Sequence, residues 1–185
     1  MAEEVRVVTV SGLPGSGTST ACQLLQQRLG WSYLNAGQIF RELADEAGVS
    51  LAEYGRRAEA DPRIDRALDA RMVERAGQRE PVVLEGRLTG WMVLRHGVPA
   101  LKVWLEAPAQ ARAARVGRRE GQSAREALQD MAAREHSEQQ RYAQFHGIDL
   151  ADLSVYDLLL DSEQQAPERL VERILEALGR PQKGG

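Results

Sequence analysis

VRVVTVSGLPGSGTSTACQLL, Val5 to Leu25, joins three kinds of local sequence in one short run. Val5, Val7, Val8 and Val10 form an apolar β-branched series that reads as a buried strand. The series breaks at Gly12 and passes through Leu13, Pro14, Gly15, Ser16 and Gly17 into helix formers. Strand, glycine-rich turn and helix, in that order, is the setting of a phosphate-binding loop (P-loop). The glycines let consecutive backbone N–H groups turn inward, and the helix that follows sets its positive end at the same point. Gly12 to Gly17, with Thr18, Ser19 and Thr20, therefore predict a cradle for the α- and β-phosphates of a nucleotide. The usual pattern, GxxxxGK[ST], asks for lysine after the last glycine, and this chain has Thr18. Ser19 occupies the hydroxyl position that meets Mg²⁺. The missing lysine leaves a deficit of positive charge at the β- and γ-phosphates, which arginines elsewhere must fill if the loop serves an enzyme. The plainer alternative is a glycine-rich turn that binds nothing.

With 185 residues, the chain is long enough for one domain with a real core and small insertions. Its net charge of −3 gives no global basic field for nucleic acid. Lysine occurs only at Lys102 and Lys183, so almost all positive charge is arginine, which binds phosphate bidentately. The single cysteine, Cys22, cannot form an internal disulfide and reads as a small buried filler. No apolar run approaches the length of a membrane span, and Glu3 and Glu4 precede the first strand. The expectation is a cytoplasmic protein without a leader or membrane anchor.

Outward from the loop, a helix from about Thr18 to Leu29 stops at Gly30, and Trp31 to Leu34 is a short second strand. Gly37 then marks a strand-to-helix turn, and Arg41 follows one turn into the helix, where it can hold a second phosphate or simply face water. Ser50 with Glu53 reads as a capping box. Asp61 with Pro62 starts a further helix to about Ala76. Residues 37–66 thus form a helical excursion before the third strand at Pro81 to Leu84. Glu85 ends that strand at the sheet edge where ligands sit in open α/β folds, and can hold the water shell of Mg²⁺. Arg87 follows it; an ion pair on a surface turn is the alternative. Leu101 to Leu105 is the fourth strand.

A helix from about Ala109 to Arg119 carries Arg112, Arg115, Arg118 and Arg119. Ser123 with Glu126 caps the next, which runs to about Phe145. Residues 112–141 hold seven arginines against five acids, and Arg134, Glu138 and Arg141 share one face. An ordinary solvated charged face looks the same, but the position between the last two strands suits a lid. His146 to Asp152 reads as a loop, Val155 to Asp161 as the fifth strand and Pro167 to Leu178 as a closing amphipathic helix with a frayed tail from Arg180 to Gly185. His96, His136 and His146 read as surface or loop residues.

These pieces resemble the nucleoside monophosphate kinases, and within them the archaeal-type cytidylate kinases. The likeness rests on SGLPGSGTST (Ser11 to Thr20), NAGQIFRELA (Asn35 to Ala44), VVLEGRLTGWM (Val82 to Met92), the arginines from Arg112 to Arg119, RExxExxRY (Arg134 to Tyr142) and GIDLADLSVYDLLLD (Gly147 to Asp161). It covers nearly the whole chain, and the three stretches from Val82, Arg134 and Gly147 are more specific than the glycine loop. The resemblance implies a single α/β P-loop kinase domain over 1–185: a five-stranded parallel sheet flanked by helices, with a nucleoside-monophosphate-binding insertion at 37–66 and a helical lid at 112–141. It also implies that Thr after the glycines is tolerated, as in some archaeal-type members.

By the same resemblance, Arg41 and Arg87, with Gly37, hold the acceptor phosphate. Arg87, Arg115, Arg119 and Arg134 act on the transferring group, Arg141 binds substrate, and Asp65 touches base or ribose. Ser19 and Glu85 hold Mg²⁺. The implied reaction moves the γ-phosphoryl group of ATP to CMP or dCMP in a monomer, without nucleic-acid or membrane partners and without a general base. The alternatives are a kinase of the same fold acting on AMP, UMP or shikimate, and a regulator that binds nucleotide without turnover because Thr18 replaces lysine.

Overall fold

The valine series pairs on both sides. In the computed structural model, which describes residues 5–179, β1 (Val7–Gly12) lies between β3 (Val82–Glu85) and β4 (Leu101–Glu106). β2 (Ser32–Asn35) and β5 (Leu158–Asp161) form the edges. The sheet has five strands in the order β2-β3-β1-β4-β5, and every pairing is parallel. Asn35 pairs with Glu85 and Glu85 with Val10, so three carboxyl ends meet where the glycine loop begins.

A parallel sheet must be covered on both faces. On one face Val8, Val10, Val83, Val103, Leu105 and Leu160 pack against α1 (Thr18–Leu29) and α8 (Pro167–Ala177). Cys22 is fully buried there, and Leu170 and Ile174 point inward as the helix periodicity requires. On the other face Val7, Val82 and Leu84 meet α2 (Ala36–Glu46), α4 (Pro62–Ala76) and α5 (Thr89–Arg95) through Ile39, Met72 and Val93. α3 (Leu51–Ala60) lies between α2 and α4 in the chain.

Local capping sets four of the helix starts. Asn35, Ser50, Asp61 and Ser123 each accept a hydrogen bond from a first-turn amide. Ser123 and Glu126 complete a capping box at the start of α7 (Ala124–Arg141). At Ser50 only half of the box forms, because Glu53 pairs with Arg56 and Arg57 instead. α6 (Ala109–Glu120) and α7 form a hairpin with its own apolar cluster of Ala113, Val116, Ala127 and Met131.

Several sequence boundaries shift. Gly37 lies inside the first turn of α2 rather than in a preceding turn. β5 starts at Leu158, because Tyr156 N–H donates to Leu153 O and holds the preceding residues in a turn. α5 has no counterpart in the sequence reading. Tyr142–His146 is a π-turn that prolongs α7, so His146 is not in a loop. The tail from Arg180 to Gly185, like Glu3 and Glu4, lies outside the described residues. Among the described residues no helix is long and apolar enough to cross a membrane.

Candidate active site

The glycine loop closes on itself at the end of β1. Ser16 N–H and Oγ both donate to Leu13 O, at 3.1 and 2.7 Å, and Ser16 is fully buried. Gly15 has φ +82°, and a Cβ there would stand 2.6 Å from Arg112 O, so only glycine fits between the loop and α6. α1 then begins at Thr18 without a side-chain cap or an acidic residue in its first turn. Its leading N–H groups are therefore free for an anion, and the helix dipole favours one.

Glu85 gathers the hydroxyls and amides around this loop. Oε1 accepts from Thr18 Oγ1 at 2.6 Å and from Ser19 Oγ at 2.8 Å. Oε2 accepts from the Tyr33 hydroxyl and from Asn35 Nδ2. Asn35 also accepts from Gln38 N–H at 2.9 Å, so one side chain caps α2 and fixes the carboxylate. Burial, reinforced by Glu85, pushes the Tyr33 phenol well above its ordinary pKa, so it remains a donor. Thr18 thus spends its hydroxyl on Glu85 and supplies no substitute for a lysine charge.

The donor set fits Mg²⁺. Ser19 Oγ and a Glu85 carboxylate oxygen are hard oxygens already in contact, beside free helix amides. Among the described residues no cluster of three metal-ligating side chains exists. That suits an ion that keeps its waters and takes the rest of its shell from phosphates.

Arginines converge on the loop, but on its carbonyls. Arg87 Nη1 donates to Gly12 O at 3.1 Å, Arg112 Nη1 to Pro14 O at 3.0 Å, and Arg115 Nη1 to Gly15 O at 3.2 Å. Arg115 also donates to Ser162 O at 2.7 Å. It borders an open groove of about 410 Å³ lined further by Gly17, Thr20 and Gln164. Arg87 Nε and Arg134 Nε both donate to buried Glu138, one to each carboxylate oxygen. Burial works against the Glu138 charge, yet Arg87 and Arg134 hold its pKa below the ordinary value. Arg112 is paired with Glu135, one turn earlier on α7.

The remaining candidates lie farther along. Arg141 is buried, 3.5 Å from Asp65, with its guanidinium over the Phe40 and Tyr142 rings. Arg41 is exposed on α2 next to Gly37. Arg119 is exposed and pairs with its neighbour Glu120 at 2.7 Å. His96 and His136 are exposed, whereas the His146 side chain is 9% exposed and its Nε2 lies 3.4 Å from Asp69.

A family model described as the cytidylate kinase-like family matches residues 7–164. The chain belongs to the cytidylate kinase-like family. A cytidylate kinase of Pyrococcus abyssi is 49% identical over 162 residues, covering 88% of this chain and 87% of its own. One from Halobacterium salinarum is 40% identical over 172 residues, covering 93% and 88%. Solved structures share the fold at lower identity. A shikimate kinase from Bacteroides thetaiotaomicron has a TM-score of 0.62 at 13% identity, covering 94% of this chain and 98% of its own. A gluconokinase from Sinorhizobium meliloti has 0.61 at 17%, covering 95% and 92%.

Within this cytidylate kinase-like chain, sequence reading missed Tyr33, Asn35, Glu135, Glu138 and Asp69 as parts of the site. Asn35 and Glu138 lay inside stretches already singled out, NAGQIFRELA and RExxExxRY. Their polarity at fixed places in those stretches was the usable signal. Tyr33 carries no local signal, because only β-sheet register brings it to the site, whereas Asp69 lies one helical turn after Asp65 and that spacing could have found it.

Proposed function

We propose that this chain is an ATP-dependent cytidylate kinase that transfers the γ-phosphoryl group of ATP to CMP or dCMP, giving ADP and CDP or dCDP. The carrying observation is the 49% identity to a cytidylate kinase across 88% of the chain. The loop, Glu85 and Arg87 supply geometry consistent with it. The loop amides and the start of α1 take the donor phosphates. The groove beside Arg115 takes the adenosine end, so Arg115 acts as its wall and as a brace for Gly15.

Arg41 and Arg87, with Gly37, position the acceptor phosphate. Arg134 and Arg119 reach the transferring group from the α6–α7 hairpin, which closes as a lid over residues delivered by the 37–66 excursion. Ser19 and Glu85 would hold Mg²⁺, which when bound neutralises charge on the β- and γ-phosphates. The acceptor phosphate has a second pKa of about 6, so it is already anionic at neutral pH and needs no general base. Alignment and charge stabilisation then carry the rate.

The test is ADP release with ATP–Mg²⁺ and CMP, dCMP, UMP, AMP, GMP or shikimate as acceptor. CMP and dCMP should exceed every other acceptor in kcat/KM by roughly tenfold or more, the factor worth 1.4 kcal/mol of transition-state binding. Preference for another acceptor, or ATP binding without turnover on any, would overturn the reading.

A further inference from the structure

A cleft opens between α4, the turn from Gly86 to Thr89 and Tyr142, beyond the guanidinium of Arg87. Leu68, Met72 and Met92 give it apolar walls, which suit the faces of a flat ring. Two carboxyls one helical turn apart, Asp65 and Asp69, line the same cleft. Asp65 is only 4% exposed, and its Oδ2 has no hydrogen-bond partner. Oδ2 of Asp69 has none either. The nearest polar atoms are Arg141 Nε, 3.5 Å from Asp65 Oδ2, and His146 Nε2, 3.4 Å from Asp69 Oδ2, both too long for good hydrogen bonds, so the edge of a ligand can supply better partners.

We propose that Asp65 and Asp69 together read the pyrimidine edge of the acceptor, Asp69 as a neutral acid donating to cytosine N3 and Asp65 as a carboxylate accepting from the 4-amino group. The proposal rests on the reading that the acceptor is a cytidine monophosphate. It accounts for selection against uracil, whose edge presents N3–H and O4, the reverse order. With the charge on Asp65, uracil would set O4 against a carboxylate.

The surrounding groups assign the charge. Burial raises the pKa of Asp65 above its ordinary value, with Arg141 at 3.5 Å opposing. Burial and the Asp65 carboxylate push Asp69 up to about 7, with His96 opposing. From the π-turn, His146 faces Asp69 at 3.4 Å; burial, with Arg95, Arg66 and Arg141, keeps that imidazole below its ordinary pKa and hence neutral. Glu138 on α7 adds further negative charge near Asp65. With Arg141 beside Asp65, a proton shared by the pair sits on Asp69 at and below about pH 7. The cleft has about 40 Å³ of free space, room for ordered water but not for a pyrimidine ring. Seating the base therefore has to displace the Arg141–Asp65 ion pair and the neutral His146–Asp69 contact.

The experiment compares kcat/KM for CMP and UMP in the wild type, Asp65→Asn and Asp69→Asn between about pH 6 and 8.5. The CMP:UMP ratio cancels phosphate ionisation common to both acceptors, and ATP affinity with circular dichroism checks the fold. Asn at 65 can accept from the amino group or donate to O4, so the ratio should fall roughly tenfold. In the wild type the ratio should decline as pH rises through about 7. In Asp69→Asn a permanent donor should keep CMP preferred and flatten that decline. An unchanged ratio in Asp65→Asn, or the wild-type slope surviving in Asp69→Asn, overturns the proposal while the kinase reading stands. Absence of CMP turnover in the wild type overturns the acceptor assignment and this proposal with it.

Discussion

Arg87, Arg112 and Arg115 all reach the glycine loop, yet each spends a donor on a loop carbonyl, Gly12, Pro14 or Gly15. Those bonds hold the loop backbone from its carbonyl side, and the Ser16 N–H across from the Gly15 carbonyl is itself held by Leu13 O. Arg112 shows the structural side of this most clearly. It is 5% exposed, donates to Ala107 O and Pro14 O, and is paired with Glu135. Replacing it with an apolar side chain strands Glu135 and removes donors from two carbonyls. Breaking a buried pair from one side costs about 3 kcal/mol. Arg112→Met should therefore lower Tm by on the order of 10 °C, read by calorimetry without nucleotide. An unchanged Tm with a collapsed kcat would show that Arg112 serves the chemistry instead of the loop.

The elements fall into those written locally and those imposed by packing. The strand–loop–helix at Val7 to Leu29, the caps at Ser50, Asp61 and Ser123 and the last helix follow from short-range rules, and they formed where the residues placed them. α5 did not, because Thr89 and Gly90 are poor helix residues and the helix has only 7 residues. Its reason is tertiary. A Cβ on Gly90 would lie 2.5 Å from Tyr156 Cε1, so the glycine admits the Tyr156 ring, which packs tilted against Trp104 and donates through its hydroxyl to Arg87 O. The site divides in the same way. The loop, Ser19, Glu85 and Arg87 were legible as motif residues; Tyr33, Asn35 and Glu138 meet them only through β-sheet register and helix docking.

Gly90→Ala tests the packing account. Helix propensity alone would make it stabilising by about 1 kcal/mol, but overpacking against Tyr156 costs about 1–3 kcal/mol. The urea midpoint should fall in the wild-type background and rise in Tyr156→Ala, where the clash is gone. The same sign in both backgrounds would remove Tyr156 as the cause.

Across the whole molecule, the α6–α7 hairpin has an apolar cluster separate from both faces of the sheet, and α7 joins the loop region chiefly through charge. Glu135 holds Arg112 and Glu138 holds Arg87, and both arginines touch loop carbonyls. The hairpin and the loop are thus coupled through charge, and Glu138 is the shared anchor because it also takes Arg134. Arg87 and Arg134 each use Nε on Glu138, which fixes the guanidinium plane; Arg87 also spends Nη1 on Gly12 O, so on the proposed reaction its Nη2 is the group turned to phosphate. On the proposed reaction, Glu138 is a positioning residue. Glu138→Gln keeps the shape but loses the charge that orients both arginines. Small misplacements of catalytic groups cost about 10²-fold in rate, so kcat should fall by that order at saturating ATP and CMP while KM for ATP moves much less. Glu138→Asp, which restores the charge on a shorter stem, should recover part of the loss. A Gln variant with kcat within about threefold of wild type, below 1 kcal/mol in barrier, would mean that Arg87 and Arg134 are held by phosphate alone.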